Sequence, residues 1–354
     1  MIRLPGLIDP HVHIREPGGT HKEDWDTGTA AALAGGFTTI FAMPNTHPSV
    51  TDQDTLNLAL HAARLRAHCD YAQFLGAGPE NVKILPKLAP YAAGLKMYLD
   101  QTYGSLRLDD LELWMEHFKN WPKKFPLVAH AEGRTMAAVI LLAAIFDRPI
   151  HIAHVSLREE ILLIKAAKEK GIKVTCEVTP HHLFLTKSDI PSIGSGRSEV
   201  RPRLASAADQ QALWDNLAVI DIFATDHAPH TLQEKDSENP PPGFPGLETA
   251  LPLFLTAVND GKMSLDELIF KMYTKPAEIF NIPTQPETWI EVDPQEMWEI
   301  HGSQFLSKCG WTPFEGRRVR GRIKQVSLRG KQAFTDGTVL TPAGFGKNIR
   351  KIPG

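Results

Sequence analysis

The chain has 354 residues, 42% hydrophobic and 22% charged, with a formal net charge of −3; this is ordinary for a soluble globular protein and leaves no basic stripe for nucleic acid. No apolar run reaches about 18 residues and no basic-then-apolar segment opens the chain, so neither a membrane span nor a signal peptide is expected. Cys69, Cys176 and Cys309 form no CxxC pair and leave one thiol unpaired, which points to buried, reduced cysteines and a cytoplasmic location; at this length one α/β barrel with a small appendage fits better than two equal domains.

Met1-Ile2-Arg3 abuts the first apolar run with no leader, and the start reads as cut from a longer, multifunctional chain. That first run, residues 7–13, carries His11 and His13. A strand's period of two sends both imidazoles to one face. Glu16-Pro17-Gly18-Gly19 must end the strand, because proline lacks a donor and paired glycines mark a turn. The two rings therefore lie at its carboxyl end, as half of a metal site.

Further apolar runs of strand length occur at 37–43, 71–77, 94–99, 127–131, 150–155, 174–178 and 221–225, alternating with helix-period segments at 23–33, 55–66, 108–118, 134–146, 159–170 and 209–217. Eight strands with helices between them predict a closed parallel (β/α)8 barrel over residues 5–288, an architecture that places catalysis at the carboxyl rim of its strands. The loop 231–246, with Pro240-Pro241-Pro242-Gly243, follows the eighth strand and is expected to form a partly ordered wall of the pocket. Segments 265–273 and 276–280 read as closing helices. From Trp289 the pattern changes to short half-exposed strands at 290–293, 325–329 and 333–335. They predict a small β subdomain made of 289–354, which residues 1–4 could share.

The residues that carry chemistry fall at strand ends: His11 and His13 on the first, Lys96 in the fourth, His130 ending the fifth, His154 ending the sixth and Asp226 after the eighth. A lone histidine in such a place is more often a satisfied core residue. Four of them with a carboxylate at one rim make a candidate metal centre, suited to zinc and also to manganese, cobalt or iron. Lys96 is the odd member, since an ammonium has no lone pair. It could snorkel or pair with an acid, but on Gly94-Leu95-Lys96-Met97-Tyr98 an unpaired cation is costly. Desolvation there favours the neutral amine, which can add carbon dioxide and form a carbamate able to bridge two metals.

Asp9-Pro10-His11-Val12-His13-Ile14-Arg15-Glu16-Pro17-Gly18, Ala42-Met43-Pro44-Asn45-Thr46, Gly94-Leu95-Lys96-Met97-Tyr98, Ala129-His130-Ala131-Glu132, Ala153-His154-Val155-Ser156 and Ala224-Thr225-Asp226-His227-Ala228-Pro229-His230 resemble the motifs of the dihydroorotases, in the amidohydrolase superfamily. Gly19-Thr20-His21-Lys22-Glu23-Asp24 and Phe244-Pro245-Gly246-Leu247-Glu248-Thr249 make the chain most similar to the dihydroorotase domains of animal CAD-type proteins, which also carry carbamoyl-phosphate synthetase and aspartate transcarbamoylase. The resemblance implies a zinc-dependent cyclic amide hydrolase that interconverts N-carbamoyl-L-aspartate and L-dihydroorotate, the third step of de novo pyrimidine synthesis, and that works as a homodimer.

By the same resemblance, His11, His13, Asp226 and carboxylated Lys96 would hold one Zn2+, and His130, His154 and the same Lys96 a second. A hydroxide bridging the two would be the nucleophile, and Asp226 would pass its proton to the departing ring nitrogen, or the reverse in cyclisation. Arg15, Asn45 and His230 would anchor the substrate carboxylate. Arg201 and the Pro242-Gly243 corner would complete the substrate pocket, and Thr102 and Tyr103 would belong to a mobile lid.

The match loosens in two places. Ala153 stands where some CAD-like members have a cysteine that helps hold an additional zinc, so a third metal is not expected although Glu177 is retained. Tyr103 stands where the lid often has an apolar aromatic. His181 and His182 read as structural, with support of the site as the alternative; His21, His47, His61, His68, His117, His151 and His301 read as ordinary. A dihydropyrimidinase or hydantoinase is the competing enzyme, but its ring substrates lack the extra carboxylate that Arg15, Asn45 and His230 would bind. A silent scaffold barrel is the non-enzymatic alternative, and the complete ligand set argues against it.

Overall fold

Strands covered on both faces bury every residue, and the apolar runs of this sequence fold in that way. The computed structural model describes residues 1–351. The strands are β1 (Ile2–Pro5), β2 (Leu7–Val12), β3 (Phe37–Ala42), β4 (Asp70–Gln73), β5 (Leu75–Gly76), β6 (Leu95–Tyr98), β7 (Leu127–His130), β8 (Ile150–Ile152), β9 (Val174–Val178), β10 (Ile222–Phe223), β11 (Trp289–Glu299), β12 (Arg318–Leu328), β13 (Lys331–Thr335) and β14 (Thr338–Val339). Every residue of β2, β3, β4 and β7 is buried.

One parallel sheet runs β2-β3-β4 and another β5-β6-β7-β8-β9-β10. The two meet at Phe74, where the third predicted strand is interrupted: the Phe74 N–H donates to Ala42 O, whereas that of Leu75 donates to Gly94 O. The ring closes between β10 and β2, where Val12 bridges His227 in parallel and the His13 N–H donates to His227 O at 2.7 Å. The result is the eight-stranded α/β barrel expected from the sequence. Phe41, Phe74 and Phe280 meet edge to face inside it, an arrangement aromatic rings prefer over direct stacking.

The third sheet is antiparallel, ordered β1-β11-β12-β13-β14, with Ile2 opposite Val292. It is the predicted appendage, and the extreme N-terminus is its edge strand. β12 starts at Arg318, well before the expected 325. Its arginines alternate with buried Val319, Gly321 and Ile323, so the charges mask a half-buried strand. Among the helices, the segment expected from 108 begins at Leu111 because Asp110 caps it, accepting from the Glu112 N–H. The two closing helices are joined through a π-helical turn, Phe270–Thr274. The loop 231–246 contains the short helix Leu232–Lys235. The buried Lys235 ammonium donates to the carbonyls of Glu199, Pro241 and Gly243. Among the described residues no helix is long and apolar enough to cross a membrane, and the three cysteines are free and buried.

The connection between β11 and β12 returns to the barrel. Leu306 and Ser307 donate their N–H groups to Glu248, at 2.9 and 3.1 Å. Burial pushes the Glu248 carboxyl up to about 8; neighbouring Glu23 adds to the shift, and the two N–H donors oppose it. An unfolded glutamate titrates near 4.5, so between these values the folded state holds the extra proton and loses stability as pH rises. Relative to Glu248→Gln, the wild type is expected to lose stability between about pH 5 and about pH 8. Urea unfolding across that range checks this, and parallel pH dependences would refute it.

Candidate active site

β2 delivers His11 and His13 to the rim, and each ring is tied on one nitrogen so that the other points inward. His11 Nδ1 makes a short hydrogen bond to the Glu177 carboxylate on β9, and its Nε2 lies 3.3 Å from Asp226 Oδ1. His13 Nδ1 lies 2.7 Å from Asn45 Oδ1, and its Nε2 3.1 Å from the same Asp226 oxygen. The Asn45 amide is oriented by its Nδ2, which donates to Tyr103 O at 3.0 Å. An oxygen acceptor on each Nδ1 requires the hydrogen there and leaves the Nε2 lone pair for a ligand role, the usual arrangement around bound metals. The donor atoms of His11, His13 and Asp226 lie within 4.8 Å of one another, a possible metal site.

Asp226 follows β10 in the left-handed region, with φ +47; Arg15 (φ +63) and His154 (φ +35) do likewise. Such backbone is rare outside glycine and concentrates at functional positions. The neighbouring residues hold it: Thr225 donates its hydroxyl to Asp9, and the His227 N–H donates to Thr225 Oγ1 at 2.9 Å. Burial alone would raise the Asp226 carboxyl, but the His11 and His13 imidazoles that face it outweigh this and hold the group well below the usual carboxylate range. The same balance keeps Glu177 low, through His11 and His151. Burial pushes His13 down to about 4 and lowers His130 and His154.

His130 Nδ1 and His154 Nε2 lie 2.8 Å apart, and the outer nitrogens, His130 Nε2 and His154 Nδ1, have no hydrogen-bond partner. These two rings pair with each other rather than with the His11, His13 and Asp226 trio, although His154 is 5.3 Å from His11 between ring centroids. Lys96 is fully buried on β6; its Nζ has no partner, and burial pushes it down to about 8 against the opposing charges of Glu177 and Asp226. Apart from Lys96 and His230, all the residues proposed from sequence, Gly243 among them, line one cavity, joined there by Tyr98 and Ala228.

At its mouth, buried Arg15 donates through Nε to Pro229 O at 3.2 Å and lies against His230, with Nη2 3.1 Å from Nε2. Arg201 donates to Glu199 and to Val200 O. Tyr103 covers this group: its ring is 5.0 Å from that of His230 and 5.1 Å from the Arg15 guanidinium carbon.

Three residues escaped the sequence reading. Glu177, noted only as a remnant of a third metal site, instead holds His11, His151 at 3.1 Å and the His154 N–H. His151, read as ordinary, is therefore part of the support. Asp9 shares the strand parity of His11 and His13, a legible signal; burial pushes its carboxyl up to about 7. His182 is structural, set between Thr179 Oγ1 and Pro202 O, and neither it nor His181 lines the cavity.

A family model described as Dihydro-orotase-like matches residues 1–75. The chain is 54% identical over 353 residues to the multifunctional protein CAD of Squalus acanthias; the match takes in 100% of this chain and 16% of that protein. Against the dihydroorotase of Pyrococcus abyssi it is 39% identical over 359 residues, spanning 96% of this chain and 85% of the relative. Among solved structures, an L-hydantoinase from Arthrobacter aurescens is similar with a TM-score of 0.93 at 27% identity, covering 99% of this chain and 89% of that one. The inactive dihydroorotase-like domain of a Chaetomium thermophilum CAD-like protein has a TM-score of 0.85 at 28% identity, covering 98% and 99%. The barrel is thus shared by hydantoinases and dihydroorotases, but the near full-length sequence match is to the latter, and the chain belongs to the dihydroorotase family.

Proposed function

We propose that the chain is a dinuclear zinc dihydroorotase that interconverts N-carbamoyl-L-aspartate and L-dihydroorotate in de novo pyrimidine synthesis. The observation that carries this reading is a possible metal site, His11, His13 and Asp226, that shares one cavity with the Arg15 guanidinium and the Asn45 amide, the His230 imidazole lying against that guanidinium. A substrate with both an amide to open and a carboxylate to hold needs both halves.

The donor set fits two metals. Beyond the trio, Lys96 Nζ is buried with no partner, and His130 Nδ1 faces His154 Nε2 at 2.8 Å, where two neutral rings bring at most one hydrogen between them; unmet buried polar groups call for an explanation such as a missing ion. In this reading His11, His13 and Asp226 would hold one zinc and His130 and His154 the other, and Lys96, carboxylated, would serve both. When bound, the ions supply Lewis-acid polarisation of the attacked carbonyl and a lowered pKa for an attacking water.

The protein's own groups do the rest. Arg15, Asn45 and His230 hold the substrate carboxylate and so fix which face of the ring meets the rim. Asp226 is ionised at neutral pH and starts as the base, taking a proton and returning it to the departing ring nitrogen; cyclisation uses the same group in reverse. Arg201 and the Pro242-Gly243 corner shape the wall, and Thr102 and Tyr103 close over the ring and exclude water. We assign catalysis to a barrel of residues 5–288, with 1–4 and 289–354 as the β subdomain, of which 352–354 lie outside the described residues. We further propose that the unit is a cytoplasmic homodimer within a longer chain that also carries carbamoyl-phosphate synthetase and aspartate transcarbamoylase, a view supported by the match to CAD.

Purified protein is expected to turn over dihydroorotate in preference to dihydrouracil; the opposite preference would make it a hydantoinase-type enzyme. Asp226→Asn should lower kcat by about 10²–10⁴-fold, whereas metal-free protein on which that change has no effect would favour the silent scaffold. Glu177→Gln should weaken metal affinity by about 10–100-fold, because His11 loses the carboxylate that aims it. Competition with a chromophoric chelator measures this without reference to activity, and unchanged affinity would remove Glu177 from the metal's support.

A further inference from the structure

Lys22 belongs neither to the metal-ligand set nor to the carboxylate-anchoring trio, yet its side chain is only 7% exposed and ends in the middle of the anchor. An ammonium has three N–H donors and no acceptor. Three acceptors surround this one: Glu234 Oε1 at 2.9 Å, His230 Nδ1 at 3.0 Å and the Tyr103 hydroxyl oxygen at 3.2 Å. Every donor of Lys22 is therefore used, and two of the three acceptors belong to the substrate pocket.

The contact with His230 has a chemical consequence. Because Lys22 can only donate, His230 Nδ1 must offer its lone pair, and a neutral imidazole then carries its hydrogen on Nε2. His230 is neutral: burial, reinforced by the charges of Arg15, Lys22 and Lys235, holds it well below the ordinary histidine value. Its Nε2 lies 3.0 Å from Pro242 O, an acceptor, and 3.1 Å from Arg15 Nη2, a donor. With the hydrogen on Nε2, the guanidinium nitrogen receives no acceptor from His230. The Nε2–H then has Pro242 O as its acceptor while Arg15 Nη2 beside it has none, and a carboxylate oxygen that binds Nη2 can share the Nε2–H with that carbonyl. The other tautomer would leave an Nε2 lone pair facing the incoming anion.

We propose that Lys22 is a positioning residue for substrate recognition, which fixes His230 as the Nε2–H tautomer and, through the Tyr103 hydroxyl, latches the lid over the donor pair made with Arg15. The proposal rests on the reading of Arg15, Asn45 and His230 as the carboxylate anchor. It also gives the lid tyrosine a hydroxyl contact that an apolar aromatic at position 103 would lack, in addition to the contact of the ammonium with the ring face at 4.8 Å.

The test uses zinc-loaded protein with 15N-labelled histidine, examined by two-bond 1H–15N correlation, with the His230 signal identified by its loss in His230→Asn. The wild type should show His230 as Nε2–H. Lys22→Met should populate the Nδ1–H form and raise KM for dihydroorotate about tenfold while kcat stays within about threefold, the signature of lost ground-state binding. Tyr103→Phe should keep the tautomer and still raise KM. An Nδ1–H signal in the wild type, or a Lys22→Met protein with tautomer and KM unchanged, would overturn the proposal; if Lys22→Met does not fold, the wild-type spectrum decides. Wild-type protein that ignores dihydroorotate while showing the Nε2–H signal would sink the proposed substrate and leave the tautomer assignment standing.

Discussion

An imidazole has two nitrogens that cannot both be donors while the ring is neutral, and the candidate site depends on which of them is tied down. Glu177 takes Nδ1 of His11, Asn45 takes Nδ1 of His13, and Lys22 claims Nδ1 of His230. A carboxylate or amide oxygen in the outer position forces the hydrogen outward and frees a lone pair for a cation, whereas an ammonium there forces the hydrogen inward and presents a donor to an anion. One side chain type thereby serves opposite ends of the same cavity. The outer partner, more than the histidine, determines the chemistry each ring can do.

Holding these groups in place has a conformational cost that the fold carries locally. Arg15, His154 and Asp226 occupy left-handed backbone, worth about 1–3 kcal/mol of strain at each position. Around Asp226 the compensation is visible as a closed set of bonds in which Asp9 accepts from Thr225, Thr225 accepts from the His227 N–H, and His227 O accepts from His13. The same bonds close the barrel between β10 and β2. The seam that completes the ring is thus the seam that presents the carboxylate, which is why Asp9 is buried at full depth without being a ligand.

Much of this was legible from the sequence, for physical reasons. Parallel strands buried on both faces leave continuous apolar runs, so even the two-residue β10 was recognisable, and polar residues interrupting those runs stood out as site candidates. The break at Phe74 left no mark, because a change of hydrogen-bonding neighbour does not alter the burial of the strand. β12 was shortened because the arginines on its outer face dilute the alternation. The supporting groups were harder still. His11 and Glu177 are 166 residues apart, and Lys22 and His230 are 208 apart; a charged residue in a loop looks solvated until the fold supplies the acceptors that surround it. Asp9 was missed as well, although its parity with His11 and His13 is a signal that points to the inward face.

The appendage also bears on the site, because its connection reaches the anchor. The Trp311 indole N–H, between β11 and β12, donates to His230 O at 2.7 Å, and Ser307 donates to Glu23 at 2.6 Å, one residue after Lys22. The segment that carries Lys22 and the backbone of His230 are therefore both braced by the same excursion from the antiparallel sheet. Lys235 adds a third brace, joining the Glu199 carbonyl to the Pro241 and Gly243 carbonyls of the pocket wall. Fixing a donor pair to within hydrogen-bond tolerance requires rigidity in both ring and main chain. Here the ring is held from within the barrel and the main chain from outside it, so the barrel's strands alone do not specify the carboxylate anchor.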